Sequence, residues 1–296
     1  MAKARTNLED FQNIEIPLPS LTEQKAIVAR WRKAQDEISA ARECVEKRKA
    51  AINARLFADV GLRSPEQGSM PKAFAAWWKE VERWGVQFIY LNCQHISESK
   101  FRELLLSEVC KIGSGGTPHR SVKRYFGGPI PWVKTTEVRN EEIATTEESL
   151  TNEGLRNSSA KLYPKGSLLI AMYGQGATRG RTAKLAIDAA TNQACAVLYN
   201  IAPCIKTDFL WYFLMSQYEA IRALASGNNQ PNLNAEMIAN LRIPLPPMNV
   251  QKQIMDRVAA GRKEIARERD AADRLARDID AEVEALILGI KKMDEL

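Results

Sequence analysis

The sequence predicts an α+β chain in which one mixed domain is flanked by two long helices that pair with each other as an antiparallel coiled coil. Three observations carry this. Ile16-Pro17-Leu18-Pro19-Ser20 returns 227 residues later as Ile243-Pro244-Leu245-Pro246-Pro247, and the match extends both ways through Asn7/Asn234, Glu9/Glu236, Gln24/Gln251, Lys25/Lys252, Ile27/Ile254 and Arg30/Arg257. A heptad of apolar residues follows each copy in the same register. Strand-like runs and loops rich in Gly, Thr, Asn and Gln fill the space between. Two copies a whole domain apart do not make a solenoid; they mark a joint used twice.

The first helix is expected over 20–58. Pro17 and Pro19 close whatever precedes them, and Ser20-Leu21-Thr22-Glu23 has the spacing of a capping box. Trp31, Ile38, Val45 and Ile52 then recur every seven residues, with Ala34 and Ala41 between them. In the second helix, expected over 248–290, Val258, Ile265, Ala272, Ile279 and Leu286 do the same, with Ile254, Gly261 and Leu275 between. A 3.5-residue period broken by Arg48, Arg55, Glu268 and Glu282 reads as a coiled coil rather than a deeply buried helix. The two runs are each other's natural partners, and residues 291–296 form a tail. Residues 59–72 collect Gly, Pro and Ser and read as a linker. A mixed domain follows over 73–247: a Trp-rich amphipathic piece (Trp77, Trp78, Trp84), strand-like runs at 87–91, 130–134, 167–172 and 195–201, and one helix over 208–225.

Composition excludes several classes. The chain has 296 residues, 45% hydrophobic and 26% charged, which is ordinary for a globular protein. The longest apolar run, 209–215, is far short of the roughly 20 residues a bilayer needs, so no membrane is expected. Five scattered cysteines without a Cys-x-x-Cys pair suggest neither a disulfide framework nor zinc, and fit a reducing cytoplasm. With His95 and His119 alone, a histidine metal site is not expected. There is no nucleophile elbow, no His-Glu-x-x-His and no Asn/Asp-Pro-Pro-aromatic motif, so the chain is read as no enzyme and as binding no cofactor or metal of its own.

The net charge is +6, with a pI near 9.0, and its distribution is more informative than its size. Between Cys110 and Asn140, Lys111, Arg120, Lys123, Arg124, Lys134 and Arg139 stand against Glu137 alone. From Gly154 to Ile187 there is no acid, while Arg156, Lys161, Lys165, Arg179, Arg181 and Lys184 accumulate. Such separation predicts a positive face suited to phosphates, unless acids fold in from elsewhere. Gly113-Ser114-Gly115-Gly116-Thr117-Pro118-His119-Arg120 and Tyr173-Gly174-Gln175-Gly176-Ala177-Thr178-Arg179-Gly180-Arg181 let a backbone lie close to another backbone and follow with basic groups. Neither is a nucleotide cradle, because Gly180 falls one residue late for Gly-x-Gly-x-x-Gly. Thr191-Asn192-Gln193 and Asn228-Asn229-Gln230 add amides suited to adenine edges.

These motifs in combination resemble the specificity subunit of a type I restriction-modification system. The resemblance rests on Val109 to Pro118, on Tyr125-Phe126-Gly127-Gly128-Pro129-Ile130-Pro131-Trp132-Val133-Lys134, on Asp188 to Ala194, on the Asn-rich loop, and on Ile243 to Pro247 leading into the long helix. It implies a cytoplasmic, non-catalytic subunit whose target-recognition domain, 73–247, reads double-stranded DNA. Its helices would dock methyltransferase subunits, which carry S-adenosylmethionine, and a motor-nuclease subunit would complete the assembly. Lys123, Arg124 and Lys161 are assigned to phosphates, and Arg179, Arg181, Asn192 and Gln193 to base edges; Thr117, Arg120, Lys134, Thr135, Tyr173, Thr178, Asn228 and Gln230 complete the candidate DNA surface. A family member carries two recognition domains, whereas one stands here. Residues 1–19 then read as the terminal strand of a preceding recognition domain, and the chain as a half-subunit that pairs with a second copy or a complementing specificity chain. Two other readings stay open: a truncated decoy or regulatory subunit, and a nucleic-acid-modifying enzyme with an unfamiliar site.

Overall fold

A computed structural model describes residues 17–62, 99–174, 177–225 and 232–291. Most of the 1–19 segment, most of the 59–72 linker, the Trp-rich piece and the 87–91 strand expected from the sequence lie outside the described residues. The chain divides into two compact units, residues 1–50 with 260–296, and residues 51–259. Helix α1 (Leu21–Val60) and the last helix, α7 (Met248–Ile287), each run without interruption across a unit boundary.

The first unit is the helix pair. Ser20 and Glu23 form the capping box: the Ser20 amide donates to the Glu23 carboxylate at 2.8 Å and the Glu23 amide to the Ser20 hydroxyl at 3.3 Å. Ile27, Ala34, Ile38 and Val45 of α1 are buried with Ile265, Ala272, Ile279 and Leu286 of α7. Arg30 pairs with Glu282, and Arg48 with Glu264 and Glu268. Rising numbers in one helix meet falling numbers in the other, so the pair is antiparallel. These ion pairs are largely solvated and worth about 0–1 kcal/mol each; they set register more than stability. Trp31 was expected in the seam and instead is 42% exposed. Ile27 and Ala34, 6% and 1% exposed, line the seam on either side of it.

The second unit is the mixed domain. Its strands are β1 (Glu103–Leu105), β2 (Lys111–Ser114), β3 (Phe126–Val133), β4 (Glu142–Ile143), β5 (Glu148–Leu150), β6 (Leu162–Tyr163), β7 (Leu168–Ala171), β8 (Thr182–Leu185), β9 (Ala189–Thr191), β10 (Cys195–Tyr199) and β11 (Arg242–Pro244). They form a five-stranded sheet, β2-β10-β7-β8-β4, a four-stranded sheet, β5-β3-β9-β6, and the pair β1-β11. Short helices α2 (Leu106–Val109), α3 (Asn152–Arg156), α4 (Thr207–Ser216), α5 (Tyr218–Ala223) and α6 (Ala235–Ala239) lie between them in the chain. The continuous apolar run of β7 is explained by burial on both faces. Leu168 and Ile170 join Phe209, Leu210, Phe213, Leu56, Phe57 and Ile254 in one cluster, while Leu169 and Ala171 join Val133, Ala183 and Val197 in another. The expected single helix over 208–225 is two helices, broken at Gln217, whose φ of −86° and ψ of 11° turn the chain. Its amide is shared between the Phe213 and Leu214 carbonyls.

The second of the two Ile-Pro words forms strand β11. Ile243 pairs with Leu104 in the β1-β11 ladder, and Gln251 then ties the start of α7 to the domain. Its Nε2 donates to the Pro246 and Cys204 carbonyls at 2.9 and 3.0 Å, and its Oε1 accepts the Lys206 amide at 2.7 Å. In the first copy Gln24 makes the matching bond, to the Pro19 carbonyl at 2.8 Å. Both helices also end alike. Gly61 and Gly289 take positive φ (76° and 70°), and the Leu62 and Ile290 amides reach back to the Phe57 and Ala285 carbonyls in Schellman caps.

Candidate nucleic-acid interface

The topology brings loops from both sheets to one edge of the mixed domain. Strands β2 and β7 end where their shared antiparallel neighbour β10 begins. The parallel neighbours β3 and β9 end at the same place, because the turn at 192–194 carries β9 directly into β10. Backbone bonds close this edge: Gly116 to Thr191, Asn192 to Val133, Met172 to Ala194 and Leu233 to Met172, each amide donating to the carbonyl.

The Gly-Ser-Gly-Gly loop is what allows the two sheets to meet. A β-carbon on Gly115 would overlap the Thr191 carbonyl, one on Gly116 the Ser159 hydroxyl, and one on Gly113 the Tyr163 hydroxyl. In return the Trp132 indole donates to the Gly116 carbonyl at 3.1 Å and the Tyr163 hydroxyl to the Ser114 carbonyl at 2.9 Å. The close backbone approach expected of this loop is therefore made to the protein's own strand β9.

Around that joint stand several expected site residues. Thr117 donates to the Gln193 side-chain oxygen at 2.5 Å, and Thr135 to Asn192 Oδ1 at 3.0 Å. Lys161 is exposed; extending the β6–β9 register places it opposite Thr191. The β7–β8 connection carries Tyr173, which is 41% exposed, with Thr178, Arg179 and Arg181. The connection rests on α5: the Tyr218 hydroxyl donates to the Ala177 carbonyl at 2.8 Å, and Arg222 donates to that hydroxyl at 2.6 Å while lying over the Tyr218 ring. Tyr218 and Arg222 were not singled out from the sequence, where their only signal is an aromatic–basic pair at i and i+4. Asn228 and Gln230 lie outside the described residues.

Lys123 and Arg124 sit elsewhere, before the start of β3 and so at the other end of that strand from Lys134. The charge separation seen in the sequence is undone in space, because the acidic stretch folds onto the basic one. Arg120 pairs with Glu148 at 2.5 Å, stacking on Phe126 and Trp132. Arg124 pairs with Glu153 at 2.8 Å, Lys134 with Glu147 and Glu148, and Lys184 with Glu142 and Asp208. The Arg120 bond holds the Glu148 carboxyl below the usual carboxylate range, and the Lys134 bond does the same for Glu147. A uniformly positive face is therefore replaced by a network in which Arg120, Arg124 and Lys134 already hold carboxylates. Below the surface, burial pushes the Cys195 thiol up to about 12, so it stays protonated and donates toward the Thr135 hydroxyl.

Residues 98–271 match the family model described as the type I restriction modification DNA specificity domain. The chain belongs to that family. Among curated relatives it is 27% identical over 158 residues to the type I restriction enzyme MjaIX specificity subunit of Methanocaldococcus jannaschii, covering 50% of this chain and 35% of that one. It is 24% identical over 177 residues to the EcoR124I/EcoR124II specificity subunit of Escherichia coli, covering 57% and 43%. The MjaVIII specificity subunit of M. jannaschii aligns over 265 residues at 24%, covering 84% and 55%. This chain thus spans between a third and just over half of these relatives. The crystal structure of the HsdS subunit from Thermoanaerobacter tengcongensis superposes with a TM-score of 0.52 at 20% identity, over 96% of this chain and 64% of that one. A chain from a structure of a type I R-M system gives 0.58 at 19%, over 91% and 59%. Both share the α+β fold with long helices. Members of this specificity family are recognition components, not catalytic ones. No helix among the described residues is long and apolar enough to cross a membrane.

Proposed function

We propose that this chain is the DNA-reading part of a type I restriction-modification assembly, with the loop edge of the mixed domain lying against one half of a two-part double-stranded site. The observation that carries this is the gathering, at one edge of two sheets, of groups suited to three kinds of DNA contact. Lys161 is placed for a phosphate, Tyr173 for stacking or sugar contact, and Arg181, Asn192 and Gln193 for base edges. The helix pair is the docking element for methyltransferase subunits. S-adenosylmethionine and the adenine chemistry belong to those partners, the motor-nuclease subunit adds cutting, and the setting is cytoplasmic.

A second observation supports the pairing of this chain with another recognition domain. Where α1 and α7 meet the mixed domain, Leu62 is 8% exposed and Gln251 0%. In the helix-pair unit the counterparts lack such cover: Ile290 is 76% exposed and Gln24 only half-buried. Gln24 keeps its bond to Pro19, and no domain partner for it stands among the described residues. The same joint, with the same cap and the same glutamine, thus supports a second domain of the same kind, contributed by a second copy or a complementing chain.

The base and phosphate assignments are separable by experiment. Arg181→Ala should relax one position of the bound sequence by about 1–3 kcal/mol, whereas Lys161→Ala should weaken all sequences alike and lower the salt slope by about one. Duplex binding measured at several salt concentrations, on matched and singly mismatched sites, checks both. Uniform losses on every sequence for both variants would contradict the assignment.

A further inference from the structure

The amides of Asn192 and Gln193 are not free to present either face. Asn192 Oδ1 accepts two hydrogen bonds, from the Thr135 hydroxyl at 3.0 Å and from the Ala194 amide at 3.2 Å. A backbone N–H can only donate, so the atom facing it is the oxygen, and the usual amide-flip ambiguity does not arise. The Thr135 hydroxyl is itself approached by the Cys195 thiol at 3.8 Å, a group whose raised pKa keeps its proton, which leaves Thr135 to pass its own hydrogen to Asn192. Both lone pairs of Asn192 Oδ1 are therefore used inside the protein. Its Nδ2 has no partner among the described residues, and the residue is partly exposed at the loop edge. Gln193, next in the chain and exposed, has its side-chain oxygen turned to Thr117 at 2.5 Å.

Bidentate recognition of adenine needs an amide oxygen to accept from N6 while the amide nitrogen donates to N7. With its oxygen occupied, Asn192 cannot do this. We infer that Asn192, backed by Gln193, is a donor-only specificity determinant that reads an acceptor edge, the N7 and O6 of guanine, the O4 of thymine or the N7 of adenine, and excludes cytosine. The inference rests on the DNA-reading function proposed above and replaces the two-point adenine contact that the residue types alone suggest. In the major groove cytosine offers only the N4 donor, so an amide nitrogen aimed at it would meet hydrogen with hydrogen.

The test is Asn192→Asp. Aspartate keeps an oxygen for Thr135 and Ala194 but replaces the outward donor with an acceptor, at nearly the same shape. The full chain, wild type and variant, is used to select bound duplexes from a randomised double-stranded pool, with folding checked by circular dichroism. The expected result is that one position, which rejects cytosine in the wild type, comes to accept it, since cytosine offers a donor alone, while the other positions hold. Asn192→Ala, selected in parallel, should lose preference at that position by about tenfold and keep the rest. If the aspartate variant selects nothing, the alanine variant decides alone. The inference is overturned if every position is unchanged in both variants, or if the position that responds specifies cytosine in the wild type. A wild-type chain that selects no sequence at all removes the DNA-reading function instead.

Discussion

Replacing Gly115 with alanine should destabilise the mixed domain by about 3 kcal/mol, near the upper end of what overpacking costs. The reason is that neither side of the contact can give way. The added methyl would overlap the Thr191 carbonyl, which is the acceptor for the Gly116 amide at 2.8 Å. Thr191 in turn is 0% exposed and lies in a strand paired on both sides, with Val133 of β3 across one ladder. Pushing the loop outward instead pulls the Gly116 carbonyl from the Trp132 indole, which is 1% exposed and would be left with an unsatisfied buried donor, itself costing about 1–3 kcal/mol. Gly127→Ala is the control. Gly127 has positive φ, 79°, unlike Gly115, and a β-carbon there meets nothing within 4 Å, so backbone strain alone, about 1–2 kcal/mol, is expected. Scanning calorimetry of both variants separates them; equal losses would mean that the loop–strand joint is not what holds the two sheets together.

The second large effect concerns the helix pair. Seven residues inserted into α1 between Ile38 and Val45, together with seven into α7 between Glu268 and Leu275, should preserve both seams and lengthen the pair by about 10 Å. As a spacer between two recognition domains, that corresponds to roughly three base pairs at 3.4 Å each. The methylated site should therefore keep both half-sites and gain about three unread pairs between them. An insertion in one helix alone leaves seven residues of seam without a matching partner, and Arg30–Glu282 and Arg48–Glu264 could no longer both form, so the register and with it the fixed spacing are expected to be lost. A doubly inserted protein that methylates the original spacing would contradict the spacer role.

How far the chain could be read from its sequence depended on whether each interaction is local. The repeat was legible because both copies do the same physical work: Gln24 and Gln251 make the same bond to a carbonyl five residues back. The heptads were legible because a helix seam has a fixed period, although the period alone did not show that Trp31 stands outside the seam. The paired charges were not legible. Arg120 and Glu148, or Lys184 and Asp208, are brought together by strand order, which residue counts do not reveal. The same holds for the glycine loop, where close backbone approach was readable but its partner, Thr191, was not. The turn at Gln217 and the Tyr218–Arg222 support of the β7–β8 connection left no pattern distinct from an ordinary amphipathic helix. Asn192 shows the limit most sharply, since its residue type suggests a two-point adenine contact and only its hydrogen-bond partners say otherwise.

This chain is expected to specify a DNA site for partner methyltransferase subunits. Methylome sequencing of DNA from cells that co-express it with a cognate methyltransferase subunit tests this most directly. The expected result is an adenine-methylated motif in two parts separated by a fixed unread spacer, symmetric if two copies of this chain pair and asymmetric if a complementing chain does. No methylated motif, with the complex formed and S-adenosylmethionine present, would contradict it.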